Sequence, residues 1–377
     1  MAEIQIFYAT NRNHQGPRWR PRGYGKKFSD DGAENLRFGH AWLEYDAERA
    51  EAFLNEPARE DRGDGEGLAE YLSECAREAR LTAYRERLDP NRSELAQPNA
   101  KLGSRALFSD LAEAMRRRSD VLVYIHGFNV AWHEALGTAA ALQLMLNRPG
   151  AGDPEQSVLV VLFSWPSDGL ALPFVSYKSD RSEAKASGYA VGRGFLKLRD
   201  YLAGLRDRAG GQEPCGQSLH LLCHSMGNYV LQNALARMIT YTPYGVLPRL
   251  FEHIFMCAPD VNDDVLEPGR PMERLHQLCR RVSVYHNRGD VAMYVSDYTK
   301  GNPDRLGTAG AARPAQLHHK VHQVDCTPLV TGLVEHSYYL WGPVNTDIRQ
   351  SIDGIPFDDP KRRRRRESEL PNVWTLY

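Results

Sequence analysis

No apolar run in this sequence is long enough to cross a bilayer. The longest, such as Val158–Trp165, have the length of strands, whereas a spanning helix needs about 20 residues. No charge of one sign dominates. The 47 basic side chains face 48 acidic ones, a net of −1, so the chain as a whole is not a polycation built to hold nucleic acid. The first residues, Met-Ala-Glu-Ile-Gln-Ile, carry neither a basic stretch nor an apolar one, and no secretory signal is read there. Cysteine is sparse: six in 377 residues, with no C-x-x-C pair. Reduced thiols in a cytoplasmic protein are expected, not a disulfide framework.

Apolar residues make up 42% of the chain and charged ones 25%, which excludes general disorder. Two segments stand apart. Asp46–Asp89 holds 13 acidic and 7 basic residues, and its stretch Leu68–Leu88 is spaced for an amphipathic helix. Residues 46–100 therefore read as a charged helical insertion, either a solvated arm or a cap. Lys361–Arg366 is six basic residues in a row. It marks residues 346–377 as a tail, disordered or in contact with nucleic acid or an anionic surface.

Between these segments the pattern alternates. Short β-branched runs at Val121–Ile125, Val158–Phe163, Leu219–Cys223, His253–Cys257, Arg281–Tyr285 and Lys320–Val324 read as strands. Ile4–Ala9 and His40–Tyr45 read as edge strands. Helical spacing over Ala131–Asn147, Glu183–Arg208 and Asn228–Ile239 separates them. The expected fold is α/β, a mostly parallel central sheet with helices on both faces, forming one domain over 1–345. Such sheets carry chemistry at the carboxyl ends of their strands.

After Leu219–Cys223 comes His224-Ser225-Met226-Gly227 and a helix, which is strand, sharp turn, helix with serine at the apex. Cys223 stands where the usual pattern has glycine. His126-Gly127-Phe128-Asn129 follows an earlier strand and can aim a backbone N–H at that serine. The N–H groups of Phe128 and Met226 are the candidate oxyanion donors. His336 lies beyond the last predicted strand and is the candidate base, with His286 a minor rival. Asp290 is the candidate acid and Asp260 the alternative, with Asp297 behind them. His318, His319 and His322 read as strand-entry and pleat positions, with no metal pattern around them. Trp165 and Tyr177 are read as pocket walls, and Asp180 as a helix N-cap.

These motifs resemble the α/β-hydrolase superfamily. More narrowly, the chain is similar to a mainly bacterial, esterase- or lipase-like family whose domain has no assigned function. The resemblance rests on Phe7-Tyr8-Ala9-Thr10-Asn11-Arg12, Ile125–Asn129, Phe163–Pro166, Tyr177 with Asp180, His224–Asn228, Ala258–Asp260 and His336–Tyr338. It spans Gln5–Trp341, with 46–99 as an insertion. It implies a Ser225, Asp290, His336 triad, no metal and no organic cofactor. The expected activity is hydrolysis of a small-molecule carboxylic ester. Acyl transfer, thioester or amide cleavage by the same triad are alternatives, as is a binding module on a hydrolase fold.

Overall fold

The structure is a computed structural model that describes residues 1–58, 61–88, 101–117, 119–167, 173–208, 216–293, 304–330 and 335–377. The side chains of Ala58, Asp61 and 173–178 lie outside that description, Tyr177 among them. Asp297 and Cys215 also fall outside it.

The strands in chain order are β1 (Ala2–Thr10), β2 (Arg12–Gln15), β3 (Gly23–Phe28), β4 (Arg37–Tyr45), β5 (Pro57–Ala58), β6 (Asp61–Arg62), β7 (Arg80–Ala83), β8 (Ser119–Ile125), β9 (Ser157–Ser164), β10 (Leu219–His224), β11 (Phe251–Cys257), β12 (Cys279–His286), β13 (Val321–Asp325), β14 (Arg364–Arg366) and β15 (Val373–Leu376). Eleven of them make one sheet, in the order β14-β15-β13-β12-β11-β10-β8-β9-β1-β4-β7. From β15 to β1 every neighbouring pair is parallel. Antiparallel strands close both ends. β1 is thus not at an edge, as the sequence suggests; it is buried between β9 and β4.

Alternation along each strand feeds two cores. Helices α1 (Ala47–Asn55), α2 (Gly65–Cys75) and α3 (Ser104–Arg116) precede β8. Leu122 and Tyr124 of β8 point to one face, with Leu136, Ala140 and Leu142 of helix α4 (Trp132–Leu146). Val121 and Ile125 point to the other, with Val191 and Phe195 of α5 (Pro173–Arg208) and Val230 and Leu231 of α6 (Gly227–Tyr241). Strands buried on both faces are why these runs read as continuously apolar. The chain leaves β8 for β9 on one side, then crosses through α5 to β10 on the other. β8 and β10 therefore flank the point where the winding reverses, the place where open α/β sheets form a crevice.

Two sequence expectations need correction. The helix expected over Leu68–Leu88 stops at Cys75, and Arg80–Ala83 becomes a strand paired with β4. Leu68 and Leu72 are fully buried in the α4-side core. The described part of the insertion is thus built into the body rather than standing off as a cap, because its apolar face finds that core. The separate tail from 346 does not hold either. Helix Gly342–Ile352 packs beneath the sheet and β14–β15 complete its edge. Arg362, just before β14, and Arg364, at its start, turn inward onto buried Asp347, while Lys361, Arg363, Arg365 and Arg366 stay exposed. A run of like charge is soluble as a tail, but here Arg362 and Arg364 have a counterion inside. Among the described residues no helix is long and apolar enough to cross a membrane.

Candidate active site

β10 ends at His224, and Ser225 adopts φ 50° before α6 begins at Gly227. A left-handed backbone at a non-glycine residue is costly and is held by its surroundings. Here Ser225 N–H donates to Cys257 O at 2.9 Å. Ser225 O accepts the N–H groups of Asn228 (3.0 Å) and Asp260 (3.2 Å). The Asn228 amide also ties Cys223 O and Ser225 O together. A Cβ on Gly227 would sit 2.6 Å from Ile125 O, and one on Gly127 2.9 Å from Ser225 Cβ. The close approaches fall at those two glycines. Cys223 is an in-register sheet residue whose side chain lies in the α5–α6 core, and burial pushes its thiol pKa up.

Asp290 is fully buried in the turn after β12, a turn pinned by Gly289 N–H on Asn287 Oδ1 at 3.0 Å. Its Oδ2 lies 2.7 Å from His336 Nδ1. A carboxylate on Nδ1 fixes the tautomer and leaves Nε2 to take a proton. The His336 ring is 4.7 Å from that of His224, the neighbour of Ser225, and His336 O lies 3.2 Å from His224 Nε2. Burial, and then repulsion from His336, hold the His224 pKa well down. His224 is thereby a neutral spacer between the elbow and the base segment. Among the described residues Ser225 Oγ makes no hydrogen bond to His336; such contacts commonly tighten only with substrate in place.

The alternative acid lies elsewhere. Asp260 Oδ1 is 3.4 Å from Arg305 Nε, both groups buried. His286 is buried against Gly310. His318 stacks on His276 at 3.7 Å, and among the described residues no cluster suited to a metal occurs.

The His126 loop holds what the sequence did not assign. Trp165 N–H (3.2 Å), Ser164 Oγ (3.2 Å) and Arg12 Nη2 (3.4 Å) converge on His126 Nε2. Nε2 therefore accepts, and Nδ1–H donates to Gly127 O at 2.9 Å. Burial, then the Arg12 charge, bring the His126 pKa down to about 3. Trp165 is fully buried, its ring stacked on His126 and its indole N–H on His126 O at 3.0 Å. It supports the loop from beneath rather than walling a pocket, because its only polar atom is spent on that loop. Asp180 is not an N-cap. It lies inside α5, and its Oδ2 accepts Ser167 Oγ–H at 2.6 Å and Asn129 N–H at 3.4 Å. The available signal was Thr-Asn-Arg directly after an apolar strand, three polar residues that are all fully buried.

The insertion also reaches the base segment. Asp64 bridges to Trp341, and Glu66 lies near the Trp341 side chain and the Ser337 backbone. Burial and the nearby Glu335 raise the Glu66 pKa.

A family model described as alpha/beta hydrolase of unknown function (DUF900) matches residues 104–349, more than half of the chain. The chain belongs to this α/β-hydrolase family. The matched span of this α/β-hydrolase runs from the helix before β8 to the helix after His336, so it contains the elbow, the His126 loop and the Asp290–His336 pair. No curated protein matches the sequence. Among solved structures, phospholipase PlaB from Legionella pneumophila in complex with thio-NAD aligns over 55% of this chain and 37% of that one, at 14% identity and TM-score 0.21. The chain thus aligns with little more than a third of that phospholipase.

Proposed function

We propose that this α/β-hydrolase cleaves a small-molecule carboxylic ester through an acyl-enzyme. One observation carries the reading. An Asp290–His336 pair at 2.7 Å packs on His224, the chain neighbour of a serine held at φ 50° on a strand–helix turn. A non-glycine residue in the left-handed region is costly unless its surroundings hold it, and such strain clusters at functional sites.

In this mechanism His336 Nε2 takes the Ser225 Oγ proton as Oγ attacks the carbonyl carbon. The carbonyl π electrons move onto oxygen, which the N–H groups of Phe128 and Met226 receive. The tetrahedral intermediate collapses, the ester C–O bond breaks, and His336 gives its proton to the leaving alcohol. Water then repeats the sequence on the acyl-enzyme, releasing the acid and restoring Ser225. Asp290 orients His336 and balances the imidazolium charge.

The test is labelling with a fluorophosphonate probe. Wild type is expected to label, Ser225→Ala not at all, and His336→Ala and Asp290→Asn far more slowly. Asp260→Asn, if folded, should label at the wild-type rate. An unlabelled, well-folded wild type overturns the reading.

A further inference from the structure

Arg12 is a fully buried cation at the carboxyl ends of β1, β8 and β9. Its guanidinium is spread over four partners. Nε donates to Ser164 Oγ (2.8 Å), Nη1 to Gly25 O (3.2 Å), and Nη2 to both Val130 O (2.7 Å) and His126 Nε2 (3.4 Å). Burial brings its pKa down to about 9, against the pull of Asp180, Glu183 and Glu134. Burying a cation is expensive unless its donors are used, so the question is what this one holds.

It holds both ends of one loop. His126 and Val130 bracket Gly127, Phe128 and Asn129, and Arg12 Nη2 touches each bracket. From the other side Ser167 Oγ accepts Val130 N–H (3.3 Å) and donates to Asp180 Oδ2, which also takes Asn129 N–H. Asn129 itself is at φ 57°, a strained conformation that these bonds maintain. The loop has no slack toward the nucleophile, since even a Cβ on Gly127 would reach 2.9 Å from Ser225 Cβ.

We propose that Arg12, with Asp180 across the loop, is a positioning residue that fixes the Phe128 peptide against Ser225. The inference rests on the hydrolase reading above and deepens it. Oxyanion donors act only if they are in place before charge develops, and a shift of about 1 Å costs on the order of a hundredfold. A planar fork reaches Ser164, Gly25, Val130 and His126 together; a lysine ammonium is a point charge that cannot.

The experiment uses full-length Arg12→Lys, Arg12→Met and Ser164→Ala. It measures p-nitrophenyl acetate hydrolysis, inhibition by phenylboronic acid (a mimic of the tetrahedral oxyanion) and thermal unfolding. Folded Arg12→Lys is expected to lose about 10²-fold in kcat and a similar factor in boronate affinity. KM should stay within about threefold, and the acidic limb of the pH–rate profile should not move. Ser164→Ala, which removes the Oγ contacts to Arg12 Nε and His126 Nε2 and leaves the other three Arg12 bonds in place, keeps the test open where the arginine variants fail to fold; about a tenfold loss in kcat and boronate affinity is expected there. Folded variants with wild-type kcat and boronate affinity overturn the proposal and leave the triad standing, as does a loss confined to thermal stability. A wild type that neither labels with fluorophosphonate nor hydrolyses the ester overturns the hydrolase reading, and this inference with it.

Discussion

Asp290 Oδ2 lies 2.7 Å from His336 Nδ1 although 46 residues separate the two in the chain. The carboxylate is fully buried and the imidazole partly open to solvent. That asymmetry suits an acid that stays put and a base that meets substrate.

Asp290→Asn should leave the turn folded and lower kcat by about 10³- to 10⁴-fold, since an amide can hold His336 in the wrong tautomer. KM should change little. Steady-state kinetics with an activated ester measures both.

His126 makes acid stability asymmetric. Its pKa is near 3 in the fold and about 6.5 when unfolded. The unfolded chain therefore binds a proton that the folded chain refuses. The stabilisation is complete above about pH 6.5 and is lost as pH falls towards 3, at up to about 1.4 kcal/mol per pH unit. Denaturant unfolding of wild type and His126→Asn between pH 7 and 4 should show a shallower slope for the variant.

Asp347 is the counterion of the two inward residues of the basic run, Arg362 and Arg364. Arg362 Nη2 and Arg364 Nε each lie 2.9 Å from its Oδ1, and Tyr285 O–H donates to Oδ2 at 2.7 Å. Burial alone would raise its pKa, but Arg364 and Arg362 bring it below the usual carboxylate value. Asp347→Ala leaves two buried guanidinium groups without that partner and should cost about 3–5 kcal/mol. Chemical denaturation checks it. Exposed Arg363→Ala and Arg365→Ala should each stay within about 0.5 kcal/mol of wild type.

Leu72→Ala should destabilise by about 2–5 kcal/mol, the range for truncating a buried leucine. A solvated arm would show no such loss. Melting curves distinguish the two.

Gly227→Ala should abolish labelling of Ser225, because the new methyl would press on the carbonyls of Ile125 and His126 at 2.6 and 2.8 Å. Both are backbone atoms at the end of a buried strand and cannot yield cheaply.

Much of the architecture was legible in local pattern. Val121–Ile125, Leu219–Cys223 and His253–Cys257 carry the apolar, β-branched character of strands covered on both faces, and they are strands. The elbow was legible too, since a small residue two positions after Ser225, met by Gly227, is a local steric need. Local pattern failed where the answer depended on a distant partner. Leu68–Leu88 keeps helical spacing throughout, yet pairing with β4 overrides it from Arg80. Asp260 and Asp290 both follow parallel strands, and only the packing set one on Arg305 and the other on His336.

The sequence by itself determined the α/β class and the turn that carries Ser225, because periodicity and steric size act over a few residues. The tertiary structure alone decided which carboxylate meets His336, that Arg12 grips the His126 loop, and that Arg362 and Arg364 face Asp347. Buried charges take their roles from counterions brought near by the fold, and Coulomb energy depends on distance in space, not on separation along the chain.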